Sequence, residues 1–461
     1  MEFDRRRFLL AAGAYASSTA ATTAAASTAA AAPIKTAPIS ALGVDATHFG
    51  VNPGSPNDQT RALQRAIDQA AGAQVPLALP PGVYRAGNLK LQNGTQLIGI
   101  RGATRLVLTE GASLMSANGA DRISLTGILL DGLGKPLPDG RGLLHLASGR
   151  GVRIVDCEVG AAGRQGIVLD GIEGEVRGTT ITGAAAAGLF SLNARGLLIT
   201  GNTVRGCGNN GIQVWRSEAG DDGTLVIGNR IDAISAHNGG SGQNGNAINI
   251  FRAANVVVSQ NRISGAAFSA VRGNAASNLQ ITGNTCSGCG EVALYSEFGF
   301  EGAVIATNTI DGAAIGVAVT NFNEGGRLAV VQGNVIRNLI NKRPPGTDPN
   351  DGAGIGIGVE ADTAVTGNVI EDAPTAGISV GWGRYLRDVT VTGNVVRRAG
   401  VGIAVSVSPG AGATVIADNL IAEARRGAIV GMEEKRQVTG DLAQEGAARY
   451  AQLAISGNRV R

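Results

Sequence analysis

Leu197-Leu-Ile-Thr-Gly-Asn202-Thr-Val204, followed by Gly211-Ile-Gln-Val214, contains the pattern from which the fold is read. Its centre is the phrase Gly-Asn-x-Val/Ile, and an asparagine returns at that point ten times between residues 202 and 458. Gly228-Asn229, Gly283-Asn284, Gly333-Asn334, Gly367-Asn368, Gly393-Asn394 and Gly457-Asn458 repeat it, while Asn261, Asn308 and Asn419 keep the Asn and lose the Gly. Successive steps are 27, 32, 23, 24, 26, 34, 26, 25 and 39 residues. A recurring polar residue at such a period marks a solenoid in which each repeat forms one coil.

The bulk composition agrees. Seventy glycines and 3% aromatics suit many short strands joined by tight turns better than a core of large side chains. A formal charge of +3 is close to balance and gives no reason to expect nucleic acid as a partner. The four cysteines do not read as a disulfide framework. Cys157 and Cys207 lie two coils apart and Cys207 and Cys289 three, and at ~4.8 Å per rung both exceed the reach of a bridge. Cys286 begins a C-x-x-C at a place otherwise held by Ile or Val, and reads as a small core residue.

The first 32 residues read as an address rather than as fold. Asp4-Arg5-Arg6-Arg7-Phe8-Leu9 resembles the twin-arginine export motif, with a weakly apolar stretch and an Ala/Thr/Ser run behind it. The expectation is a signal peptide over 1–32, a single domain over 33–461, recognition by the twin-arginine export machinery, and a periplasmic or secreted protein. No other stretch approaches the ~20 apolar residues of a membrane span.

Each period carries two alternating runs. One leads into the Asn, as in Val389-Thr-Val-Thr-Gly-Asn394; the other follows a small residue, as in Ala247-Ile-Asn-Ile250 or Gly377-Ile-Ser-Val380. Alternation of period two with Ile and Val on one face is the strand signature. A leucine-rich repeat is the rival, but Ile and Val are preferred over Leu and no helical pattern fills the second half of the period. An all-β, right-handed parallel β-helix is therefore expected, with the asparagines stacked as a hydrogen-bonded ladder; Asp156 and Thr179 take the Asn place in the coils before Asn202. Its ends need covers. An amphipathic helix over 58–71 with an Asn or Asp cap would close the first coil, and 432–450 breaks the period as a local excursion.

Residues 42–108 look like the opening module of pectate-lyase-like and polygalacturonase-like β-helix proteins. The matching pieces are the Asp58–Ala71 helix, Leu79-Pro-Pro-Gly-Val-Tyr-Arg85 and Leu91-Gln-Asn-Gly-Thr-Gln-Leu-Ile-Gly99. The arginine signal, the Gly-Asn repeat, Asn321-Phe-Asn-Glu-Gly-Gly-Arg327 and Gly381-Trp-Gly-Arg-Tyr-Leu-Arg387 further resemble a family of twin-arginine-exported repeat proteins. That resemblance implies the fold and export but no particular reaction. The superfamily's Asn-Thr-Asp, Gly-His-Gly and Arg-Ile-Lys signatures, and the R-x-P-x-x-R of pectate lyases, are not present. Nor is there a metal-ligand spacing among His48, His145 and His237, so no metal and no cofactor is expected.

Chemistry is sought on the outward positions of the second run. With Ile212, Ile248, Val271, Leu294, Val317 and Ile378 as an inward column, Gln213, Asn249, Arg272, Tyr295, Ala318 and Ser379 face out. Two places on come Trp215, Phe251, Asn274, Glu297, Thr320 and Gly381, and beyond them Arg216, Arg252, Phe298, Asn321 and Trp382. Aromatic faces, amides and Arg forks suit a polysaccharide, an acidic one most of all. The insertions 235–245 and 339–352 would wall one side of this groove and 216–223 the other. Arg272, Tyr295 and Glu297 are the catalytic candidates; Gln213, Trp215, Arg216, Asn249, Arg252, Asn274, Asn321, Glu360 and Trp382 are the substrate-binding ones. Three readings stay open. Tyr295, its phenol pKa lowered by Arg272, would abstract a proton in β-elimination; Glu297 with Glu301, Glu324 or Glu360 would act as a glycoside hydrolase; or the face binds glycan, or serves the envelope structurally, without reaction.

Overall fold

Three rows of short parallel strands wind around one apolar core. The computed structural model describes residues 43–240, 242–347 and 351–461. The expected signal segment 1–32 and the first residues of the expected domain lie outside them. The first row, from Val44–Asp45 to Leu453–Ser456, holds sixteen strands and contains the run that leads into each Asn. The second row follows the Asn turn directly, as in Thr203–Arg205 and Thr309–Asp311. The third carries the longer strands, Asn210–Asp221, Asn246–Ala254, Val271–Asn274, Val292–Glu297, Ile315–Thr320 and Ile355–Val359 among them. The period was read as two strands per coil; there are three, because the Val or Ile two places after each Asn has a short strand of its own.

Each row sends one face inward. Ile199, Val204, Ile212 and Val214 of one coil are fully buried, and Val226, Ile231, Ile248 and Ile250 stack on them in the next. Burying each such side chain stabilises the fold by roughly 1.5–3 kcal/mol. Parallel pairing stacks identical positions: Ile212↔Ile248↔Val271↔Leu294↔Val317↔Ile357↔Ile378 is one continuous column. The sequence reading passed from Val317 straight to Ile378. The insertion 339–352 stretches that period and hid the coil carrying Ile357 and Gly358.

The ladder forms along the turn between the first and second rows. The backbone N–H and Nδ2 of Asn284 both donate to Oδ1 of Asn308, at 2.9 and 3.0 Å, and Nδ2 also donates to the Val258 carbonyl at 3.0 Å. The same bonds run from Asn202 through to Asn458. Each carboxamide thus satisfies buried backbone groups of its own and neighbouring coils. The residue before each ladder Asn is left-handed, which explains the Gly; Gln260, Thr307 and Asp418 accept φ of 56°, 57° and 57° in its place. Thr179 does hold the ladder position, its N–H bonded to Asn202 Oδ1 at 2.9 Å. Asp156 does not. The position belongs to Cys157, whose N–H faces Thr179 Oγ1 at 3.4 Å, and Asp156 takes the left-handed place one residue earlier, with φ 53°.

The helix spans Thr60–Gly72 and buries Leu63, Ala66, Ile67, Ala70 and Ala71. Gln59 occupies the cap position without a side-chain bond to the helix, and Asp58, one residue earlier, accepts from the Thr60 N–H at 2.9 Å. At the other end Ile429–Glu433 and Arg436–Asp441 form an antiparallel hairpin, so the excursion begins slightly before 432. All four cysteines are buried free thiols. Burial raises the Cys157 and Cys207 thiols to about 11, and that of Cys289 to about 12.

Candidate functional site

The third row places the predicted residues on adjacent rungs. Asn249, Arg272, Tyr295, Ala318 and Gly358 share one outward column, and Phe251, Asn274, Glu297 and Thr320 the next. Rungs ~4.8 Å apart bring Arg272, Tyr295 and Glu297 together. Arg272 Nε and Nη2 hold the two oxygens of Glu297 at 2.7 and 2.8 Å, and Asn274 Nδ2 donates to the same carboxylate at 3.0 Å. The Arg272 guanidinium also lies 4.8 Å from the Tyr295 ring centroid.

Two partners of this cluster were not anticipated. Arg272 Nη1 reaches Glu291 at 3.1 Å, and Arg343 Nη2 bridges Glu291 at 2.9 Å and Asp351 at 3.1 Å. Glu291 precedes its strand and Arg343 lies in an insertion, so neither belongs to an alternating run that sequence could register. Arg272, Glu291 and Glu297 are all buried. Gly242 of the first insertion closes over Arg272, where a methyl group on it would stand 3.8 Å from Nη2. The two insertions meet, since a methyl on Gly346 would stand 3.9 Å from the Gly240 nitrogen. They stand on one edge, and residues of the second insertion line the hollows beyond.

Tyr295 does not have the lowered phenol pKa that a proton-abstracting role requires. Burial pushes the phenol well above its ordinary value and Glu297 adds to the rise, outweighing the opposing pull of Arg272. Glu360 is also raised, again by burial, although one of its oxygens accepts the N–H groups of Asn321 and Phe322 at 2.8 and 3.0 Å.

Nearer the N-terminus the aromatic residues satisfy one another. Trp215 lies 5.5 Å from both Phe190 and Phe251, and its Nε1 donates to Asn249 Oδ1 at 2.6 Å. Arg252 donates to the Ser217 carbonyl at 3.0 Å and stacks on Phe251. Arg216 turns back to the Glu218 carbonyl at 3.3 Å, and Gln213 is buried. Asn321 is buried as well, and pairs through its amide with the backbone of Ala361. The two segments that carried the family resemblance pack together: Phe322 meets Tyr385 edge-on at 5.5 Å, and Arg387 lies over Phe322 at 5.1 Å.

Open space begins where this polar network ends. A hollow of about 250 Å³ is lined by Tyr295, Arg343, Asp351, Glu360, Ser379 and Trp382. It shares Gly352, Ser379, Gly381 and Trp382 with a second hollow of about 290 Å³, which continues to Ala404 and Met432. Their common floor is the column Ala318–Gly358–Ser379–Ala404, four small residues in register. Beside it runs one apolar column, Val292–Ile315–Ile355–Ala376–Val401, and Val430 continues the floor past Ala404. The result is a trough along the solenoid axis, with Trp382 partly exposed at its middle.

Among the described residues no three His, Cys, Asp or Glu side chains are grouped to hold a metal ion, and no helix is long and apolar enough to cross a membrane. A family model for the right-handed β-helix region matches residues 139–231, 165–336 and 219–419. The chain belongs to this right-handed β-helix family. No curated protein sequence matches it. The N-terminal fragment of bacteriophage Phi29 gene product 12 is similar in structure, with a TM-score of 0.51 and 16% identity over 91% of this chain and 71% of that one. The surface adhesin PfbA of Streptococcus pneumoniae gives 0.45 and 15% over 86% and 93%. The A-module of the Azotobacter vinelandii mannuronan C-5 epimerase AlgE4 gives 0.45 and 17% over 90% and 100%. Likenesses at such identities concern the fold alone.

Proposed function

We propose that the trough from Tyr295 to Met432 binds an extended glycan, and that the sugar seated beside Tyr295 is uncharged. The observation that carries this reading is the floor of small residues, Ala318, Gly358, Ser379 and Ala404, beside a partly exposed Trp382. A strip of small side chains accepts the C–H face of a pyranose, an indole stacks on it, and the Ser379 hydroxyl with the polar edge at Glu360 and Asp351 addresses hydroxyls. The acidic ligand favoured from sequence finds little support here. The charges of Arg272 and Arg343 are already balanced by Glu291, Glu297 and Asp351, so neither brings an unpaired cation to a uronate. β-Elimination loses its premise with the raised Tyr295 phenol.

Gly358 supplies the test. A Cβ there meets nothing within 4 Å and its backbone is not left-handed, so a side chain can start from this position, and Gly358→Phe places a ring in the trough. Binding of neutral oligosaccharides, followed by Trp382 fluorescence, should vanish in this variant while thermal unfolding stays unchanged. Unaltered binding would sink the proposal.

A second reading, glycoside hydrolysis, draws on one contrast. Two carboxyls line the same hollow in opposite environments, Glu360 raised by burial and Asp351 paired with Arg343. In such a pair Glu360, held protonated more readily by burial, would donate the proton and Asp351 would be the second carboxyl. Export remains a proposal that rests on Asp4–Leu9, and fusing residues 1–32 to a reporter tests it.

A further inference from the structure

A group of cations with unspent hydrogen-bonding capacity lies elsewhere, on the second row of the first coils. There Tyr84, Leu106 and Leu130 point into the core, so their neighbours Val83, Arg85, Arg105 and Val107 face outward. Register sets Val83 beside Arg105 and Arg85 beside Val107, with Asp131 next to Val107. Together with Thr109, Leu133 and Lys135 these outward residues line a hollow of about 380 Å³.

Three cations share that hollow, and their hydrogen-bonding capacity is largely unmet. Among the described residues the Arg85 side chain has no hydrogen-bond or ion-pair partner. Arg105 pairs with Asp131 through Nη2 alone, and its Nε is buried with nothing to accept its proton. Lys135 Nζ donates to the Thr109 carbonyl, which carries no charge to balance it. Two carboxylates lie nearby and both are occupied. Asp131 takes Arg105 and the Leu133 N–H, and Asp58 takes Thr109 Oγ1 and Thr60. A buried donor without an acceptor is costly to maintain, and guanidinium forks beside an ammonium match the geometry of an oxyanion. The floor adds a second requirement. Val83, Val107 and Leu108 are apolar, and Leu133 stands 52% exposed on a left-handed backbone at the hollow's edge.

We propose that Arg85, Arg105 and Lys135 form a binding site for an oxyanion, a carboxylate or phosphate, carried on a sugar whose C–H face rests on Val83, Val107 and Leu133. This site lies on a different row from the trough and stands independently of the function proposed for it. Calorimetric titration with inorganic phosphate and with a short oligogalacturonate, at low ionic strength, tests it on the full chain. Saturable binding is expected, weakened about tenfold by Arg85→Gln and further by adding Lys135→Gln. Among the described residues the Arg85 side chain makes no hydrogen bond or ion pair, and its backbone bonds are kept in Arg85→Gln, so the thermal unfolding of that variant should match that of the parent. Binding of phosphate alone assigns the oxyanion to a phosphorylated sugar, and binding of the oligogalacturonate alone to a sugar acid. No saturable binding of either probe, or affinity that survives both substitutions, overturns the proposal.

Discussion

Arg272 grips both oxygens of Glu297, at 2.7 and 2.8 Å, on neighbouring rungs of the third row. The pair is buried, and Glu291 completes the charge on the far side of the guanidinium. What sequence presented as a reactive centre is therefore also a structural clamp joining successive coils to the insertion that carries Arg343.

Removing the cation should be severe. Arg272→Met leaves Glu297 buried without a cation, at a cost of about 3–5 kcal/mol. Arg272→Met with Glu297→Leu should recover most of that loss, because Glu291 keeps Arg343. Denaturant unfolding of the three proteins measures both effects, and a single variant as stable as the parent would show that the charges are not buried together.

The ladder makes a second, separate claim. Asn308→Ala strips the acceptor from the N–H and Nδ2 of Asn284 and the donor from the Ile281 carbonyl. Orphaned buried groups of this kind should lower stability by roughly 3 kcal/mol. Substituting an exposed Asn such as Asn57 should change it little, and a comparable loss at both positions would argue that the stacked amides contribute nothing special.

Glu360 should make stability depend on pH with a definite sign. Folding raises its affinity for a proton, so its neutral form favours the folded state at pH below the ordinary glutamate range. That share is lost as pH rises through this range to the raised value. Glu360→Gln should flatten this part of the profile and be relatively more stable near neutrality. If Glu360 donates the proton in a hydrolytic step, activity should decline over the same rise in pH and disappear in the variant; an unchanged stability profile would contradict the burial that raises it.

The legible part of this protein was whatever repeats. Asn202 to Asn458 could be read because one turn geometry recurs in every coil, and the core columns followed from period-two alternation. The reading slipped by one residue at Asp156, where Cys157 replaces the asparagine and the left-handed position is held by a residue that looks like the ladder member. It skipped the coil of Ile357 where an insertion lengthened the period. The site was half legible. Arg272, Tyr295 and Glu297 were placed together by register alone, but Glu291 and Arg343 come from turns and insertions, whose course no periodicity fixes. Alternation also fails to reveal satisfaction: Trp215 and Asn321 look outward in sequence and are consumed by contacts at home. The trough was missed for the opposite reason, since Ala318, Gly358 and Ser379 show nothing to a search for reactive side chains.

The uniformity of the asparagine bonds has an evolutionary consequence. Because each rung offers its neighbours the same donors and the same acceptor, the turn between any two rungs is an interchangeable joint. Whole coils can be duplicated or excised at these joints without leaving a broken bond on either side. Length is then inherited almost independently of chemistry, and a lineage can extend or shorten the surface it presents in steps of one coil while Arg272 and Glu297 stay clasped where they are.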